Sequence, residues 1–113
     1  MIVLICGSRT FINYDRICRR ISELPEDTLV ITGGAAGADV LANVAAQELG
    51  LRTKVFPAKW SMYGKSAGFK RNLQMLDEHP DLVIAFHRYN SKGTAHTIRN
   101  AKKMDIPVEV IDW

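Results

Sequence analysis

A doubly wound, three-layer α/β sandwich built on a five-stranded parallel sheet is the fold class predicted for these 113 residues. Three observations predict it. Five short apolar runs rich in β-branched residues recur along the chain, and stretches of helical periodicity separate them. Most of the runs carry consecutive apolar residues, not alternation, as strands covered on both faces do.

The first run, IVLIC (2–6), is followed by YDRICRRISEL, which sets Ile17, Ile21 and Leu24 on one helical face. TLVIT (28–32) leads through a glycine turn into ADVLANVAAQELG, where Val40, Leu41, Val44, Ala45 and Leu49 are expected to be buried together and Gly50 caps the end. TKVFP (53–57) leads into a long loop and then SAGFKRNLQMLDEH, with a buried side expected at Leu73, Met75 and Leu76. DLVIAF (81–86) precedes TAHTIRNAKKMDI, where Ile98, Ala101 and Met104 repeat the pattern, and VEVID (108–112) closes the chain. Pro80 and Pro107 sit just past helical segments, where they stop propagation. Right-handed helical crossovers between parallel strands follow from this alternation. The order 3-2-1-4-5 is predicted because it sets a topological switch point beside the first strand.

Length and composition agree with one domain, residues 1–113, with no internal repeat, linker or low-complexity segment. Hydrophobic residues make up 47% and charged residues 24%, which excludes a disordered chain. A net charge of +3 and a pI near 9.0 permit an anionic partner without requiring one. Cys6 and Cys18 lack metal-ligand spacing and read as thiols in a reducing cytosol, with a disulfide between them as the alternative. The start MIVLICGS has no basic flank and its apolar run is too short for a signal peptide or a membrane span, so the expectation is a cytoplasmic protein with no membrane partner.

Ligands of such sheets bind at the carboxyl ends of the strands. Those loops are GSRTF (7–11), GGAAGAD (33–39), AKWSMYGKSAGFKRN (58–72) and HRYNSKGT (87–94), each mixing glycine or small residues with polar or basic ones. The opposite connections, LPED, GLR, EHP and MDIP, read as plain turns. Gly33, Gly34 and Gly37 allow positive φ or close approach, and free amides at the following helix start favour phosphate. Asp39 suits the helix dipole there, or accepts hydrogen bonds from a ribose or base. A tight corner with Asp39 as its cap is the other reading. The spacing is neither a dinucleotide fingerprint nor a P-loop. In the fourth loop Ser91, Gly93 and Thr94 start a second helix, giving two anion-favouring corners at one sheet end.

Around these corners lie Arg9, Lys59, Lys65, Lys70, Arg71, Arg88 and Lys92. Arg9 and Arg71 fall in a loop or first helical turn, where an arginine holds phosphate through two parallel hydrogen bonds. Arg99, Lys102 and Lys103 read as a solvated face. Trp60 and Tyr63 fall in the long third loop; a base platform there stands against a lid or dimer contact. Phe11 is expected to plug the core. His79 reads as a helix end, with His87 and His96 near the proposed site, and no metal site or cofactor is expected.

Taken in order, GSRTF, ITGGAAGAD..A, W..YGKSAGFKRN.QM, DLVIAF and KGT....A resemble the YspA/YpsA-related branch of the SLOG superfamily along nearly the whole chain. The resemblance implies a Rossmann-like fold and a nucleotide or nucleotide-derived ligand. Relatives include lonely-guy phosphoribohydrolases, which cleave the N-glycosidic bond of a nucleoside monophosphate, and DNA-processing protein A, which binds single-stranded DNA. Arg71, Asn72 and Met75 resemble the first group's R-K-x-x-M stretch with Asn in place of Lys. Ser91, Lys92, Gly93 and Thr94 match G-G-x-G-T-x-x-E only in part, with Thr97 where the catalytic Glu stands. A neutral hydroxyl cannot replace that carboxylate, so enzymatic activity stays open.

Three functions are therefore expected in order. The first is binding of a phosphate-bearing nucleotide by Gly7, Ser8, Arg9, Gly33, Gly34, Gly37, Asp39, Trp60, Lys65, Arg71, Asn72, Ser91, Gly93 and Thr94. The second is phosphoribohydrolase-like cleavage, with Arg71 on phosphate and Asp39 on the sugar. The third is single-stranded DNA binding through Lys59, Lys65, Lys70 and Lys92 with Trp60 as a platform. A homodimer is expected, as relatives self-associate.

Overall fold

The computed structural model describes residues 1–88 and 91–112; positions 89 and 90 of the fourth loop, and 113, lie outside the described residues. Its elements run β1 (Ile2–Gly7), α1 (Tyr14–Ser22), β2 (Leu29–Thr32), α2 (Ala38–Glu48), β3 (Arg52–Val55), α3 (Trp60–Tyr63), a 3-10 turn (Gly64–Ser66), α4 (Ala67–Leu76), β4 (Leu82–Phe86), α5 (Lys92–Lys103) and β5 (Val108–Ile111). The strands form one parallel sheet in the order β3-β2-β1-β4-β5, as predicted. The switch point lies between β1 and β4, paired from Val3↔Leu82 to Gly7↔Phe86.

Strand parity divides the core. Successive side chains point to opposite faces. Val3 and Ile5 of β1, with Ile84 and Phe86 of β4, join Ile17 and Ile21 of α1 and the alanines of α2. Leu4, Cys6, Val83 and Ala85 join Met75 and Leu76 of α4 and Ala101 of α5 on the other face. Central strands buried on both sides explain the unbroken apolar runs. The edge strand β3 has exposed Arg52, Lys54 and Val55. Phe11 is fully buried and packs against Phe86 at 4.9 Å between ring centroids.

Three expectations are corrected. Helix α2 buries Ala38, Asp39, Ala42, Ala45 and Ala46, while Val40, Val44 and Leu49 face outward. The reason is proximity: a Cβ on Gly7 would come within 2.7 Å of the Ala38 Cβ, so α2 approaches the sheet too closely for larger side chains. In α4 Leu73 is exposed and Asn72 is buried, and in α5 Met104 is partly exposed. The third loop is not continuous loop but contains α3 and the 3-10 turn, with the backbone amides of Met62 and Tyr63 donating hydrogen bonds to the Lys59 carbonyl. Cys6 and Cys18 are both free thiols. Among the described residues no helix is long and apolar enough to cross a membrane.

Candidate functional site

The loops after β1, β2 and β4 converge on a cleft of about 520 Å³ at the carboxyl end of the sheet. Gly7, Ser8, Arg9, Asp39, Arg71, Asn72, Ser91, Gly93 and Thr94 line it, as do Cys6, Thr10, Met75, Arg88, Lys92 and Thr97. Asp39 is the only carboxylate among these residues, against Arg9, Arg71, Arg88 and Lys92. Such a balance attracts an anion.

Ser8 ties two loops together. Its amide donates to the Phe86 carbonyl at 3.0 Å. Its hydroxyl donates to the Arg88 carbonyl and accepts from the Arg88 amide, both at 3.2 Å. Gly37 has φ +82, and a side chain there would run into the carbonyls of Ser8 and Arg9. Only glycine lets the two loops meet. Directly behind it the Ala38 amide donates to the Ser8 carbonyl at 3.3 Å.

The β2–α2 corner is occupied from within. The Ala35 amide donates to Asp39 Oδ2 at 3.2 Å, so the protein's own carboxylate takes an amide that the sequence suggested would be open. Gly33 lies under Arg71, whose Nη1 donates to its carbonyl and, at 3.5 Å, to that of Phe56. Gly33 and Gly34 border a neighbouring recess, and Gly37 lines neither space.

Burial pushes Asp39 up to about 6, against the opposing pull of the Ala35 amide, Arg71, the Gly33 amide and Arg9. Burial likewise lowers Arg71, while Asp39 raises it and Arg9 lowers it further. The Cys6 thiol is driven far up by burial and then by Asp39, which leaves it unreactive.

The α5 corner is built differently. The Ser91 hydroxyl lies 2.9 Å from Thr94 Oγ1 and does not cap the helix, so among the described residues no side-chain hydrogen bond caps this helix start. Gly93 lies in open space. Its carbonyl accepts from Asn72 Nδ2 at 3.2 Å and from Thr97 Oγ1 at 3.2 Å. Asn72 Oδ1 in turn accepts from Arg71 Nε at 3.0 Å. A relay from Gly33 through Arg71 and Asn72 to Gly93 thus links both glycine corners. Burial lowers the His96 pKa, with further lowering by Arg99 and Lys103, and its ring stacks on Phe69 at 4.3 Å.

Trp60 borders the second recess, while Lys65 sits on the exposed 3-10 turn and lines neither space. Lys59 and Lys70 line a third recess with Tyr63, apart from Lys92. Tyr63 lies under the Lys70 ammonium, 4.9 Å from nitrogen to ring centroid. Sequence reasoning missed Cys6, Thr10 and Met75 as lining residues. Strand parity was the available signal for Cys6, which lies one residue before the end of β1 on the α4 side. Among the described residues no three His, Cys, Asp or Glu side chains gather as a metal-binding group.

Three comparisons bear on this architecture. The model of a family described as "YspA, cpYpsA-related SLOG family" matches residues 1–63, which carry the first two corner loops. Gene 61 protein of Mycobacterium phage D29 is 33% identical over 115 residues, covering 94% of this chain and 92% of that protein. The solved structure of DNA processing protein A from Streptococcus pneumoniae superposes with a TM-score of 0.81 at 18% identity, over 96% of this chain and 49% of that one. The chain therefore spans about half the length of that protein, and the likeness is one of fold.

Proposed function

The chain belongs to the YspA, cpYpsA-related SLOG family, and we propose that it binds a nucleotide or nucleotide-derived, phosphate-bearing ligand at the carboxyl end of its sheet. The observation that carries this reading is the cleft at the β1–β4 switch point, where four cationic side chains and an uncapped helix start surround one buried acid. The phosphate has Arg9 and Arg71 as its counter-charges, with Lys92 and the α5 corner at Gly93 and Thr94 beside them in the same cleft. Its ribose or base extends toward Asp39 and the third loop. Calorimetric titration with a panel of nucleoside mono- and diphosphates tests the reading, with saturable binding as the expected result. No heat from any member of the panel removes it.

A second reading, hydrolysis of the N-glycosidic bond of a nucleoside monophosphate, is favoured by one observation. Asp39 is a cleft carboxylate whose pKa near 6 suits proton transfer around neutral pH. Against it, Thr97 fills the place of the family's glutamate and donates its hydroxyl to the Gly93 carbonyl. Chromatography of AMP incubated with the protein discriminates: released adenine supports hydrolysis, and intact AMP at high protein concentration removes that substrate. Single-stranded DNA binding ranks third, because Lys59 and Lys70 line a different recess from Lys92. The proposed cytoplasmic homodimer would use one of two exposed apolar pairs, Val40 with Val44 or Phe69 with Leu73. Sedimentation of Val44→Glu and Leu73→Glu variants tells them apart.

A further inference from the structure

We infer that the ligand carries its negative charge internally, as a phosphodiester or pyrophosphate joining two ring-bearing halves, one half in each of two adjoining recesses. The inference rests on the nucleotide reading above. Beside the 520 Å³ cleft lies a second recess of about 370 Å³, and Arg9, Ala35 and Arg71 line both. Each space is large enough to be a ligand site by itself.

The partition between them is cationic and fixed. Arg71 Nη1 is held by the carbonyls of Gly33 and Phe56, and its Nε by Asn72 Oδ1, so the guanidinium is pinned at the boundary. Arg9, exposed on the loop after β1, borders both spaces as well. An anion seated at this boundary meets two guanidinium groups, and whatever is bonded to it extends both ways. A terminal phosphate would leave one side empty.

The two lobes differ in chemistry. The cleft offers hydroxyls, an amide and cations from Ser8, Thr94, Asn72 and Lys92, which suit a sugar with its own polar groups. The recess offers Val55, Pro57, Ala58 and a half-exposed Trp60. A Cβ on Gly68 would lie 3.4 Å from Trp60 Cη2, so the indole edge rests over the start of α4 while about half of the residue stays exposed. Apolar walls with an aromatic platform suit a base.

Calorimetric titration of the full chain with AMP, with the dinucleoside monophosphate ApA and with a long oligo-adenylate tests this. ApA is expected to bind at least about tenfold more tightly than AMP. Trp60→Ala should bring ApA close to the AMP level, a larger loss than it causes for AMP, and Trp60→Phe should retain most of the gain. Val55→Asp, in the lining of the same recess, serves as a second variant with the same expected loss. ApA binding no more tightly than AMP overturns the inference and leaves the nucleotide reading standing. So does Trp60→Ala weakening both ligands alike. An oligo-adenylate binding much more tightly than ApA overturns it in favour of an extended strand. Silence from all three ligands overturns the inference together with the reading beneath it.

Discussion

The corner leading into α2 and the corner leading into α5 look alike as strings of glycine and small polar residues, yet they end in different states. At α2 the Ala35 amide is engaged by Asp39 and the Gly33 carbonyl by Arg71, and Gly37 is wedged against Ser8 and Arg9. At α5 no side-chain hydrogen bond caps the helix among the described residues, and a Cβ on Gly93 would meet none of their atoms within 4 Å. The first corner is structural, holding three loops in register; the second is the open one. Glycine alone does not separate these outcomes. What separates them is whether another segment of the chain occupies the space beside it.

The sharpest way to break this comparison is at Gly37. Gly37→Ala should cost on the order of 4 kcal/mol, because a left-handed backbone and overlap with two carbonyls act together. Urea denaturation measures it, and a loss under about 1 kcal/mol would mean that the loops do not meet there.

Asp39 supplies the next effect. Its folded pKa is raised from 3.8 to about 6, so folding favours the protonated form. That contribution is complete below about pH 3.8 and is lost as pH rises through about 6. Asp39→Asn keeps an acceptor for the Ala35 amide and removes the ionisation cost. It should match wild type near pH 4 and exceed it near pH 8 by at most about 3 kcal/mol. Parallel stability curves for the two proteins across that range would show that the carboxylate is not desolvated.

Arg9→Ala removes an exposed charge that borders both recesses. Ligand affinity should fall by about tenfold, with thermal stability unchanged within about a degree. The smallest expected effect is at the open corner: Gly93→Ala should be neutral or stabilising by up to about 1 kcal/mol, since the added methyl meets no atom of the described residues within 4 Å. A Gly93→Ala loss as large as that of Gly37→Ala would erase the distinction between the corners.

Much of the scaffold was legible beforehand. Consecutive apolar residues in β1 and β4 marked buried central strands, the helix–strand alternation gave the parallel class, and the order chosen to set a switch point beside the first strand is the one the structure has. The rotation of α2 was not legible, because hydropathy favours Val40 and Val44 over alanine, whereas the close approach at Gly7 admits only alanine. Nor was the burial of Asn72, which follows from its bonds to Arg71 and Gly93. Arg71 could be nominated for a site from its expected place near a helix start, although the structure sets it in the second turn of α4. Its grip on the Gly33 carbonyl could not, since the two residues lie 38 positions apart.

Local sequence, then, determined which segments are strand or helix and which loops carry the polar residues. These depend on periodicity and short-range sterics. Tertiary structure alone decided which amides are taken, which face of each helix is buried and where Arg71 divides one space from another. Each of those depends on how closely distant segments approach, a quantity that no local pattern contains.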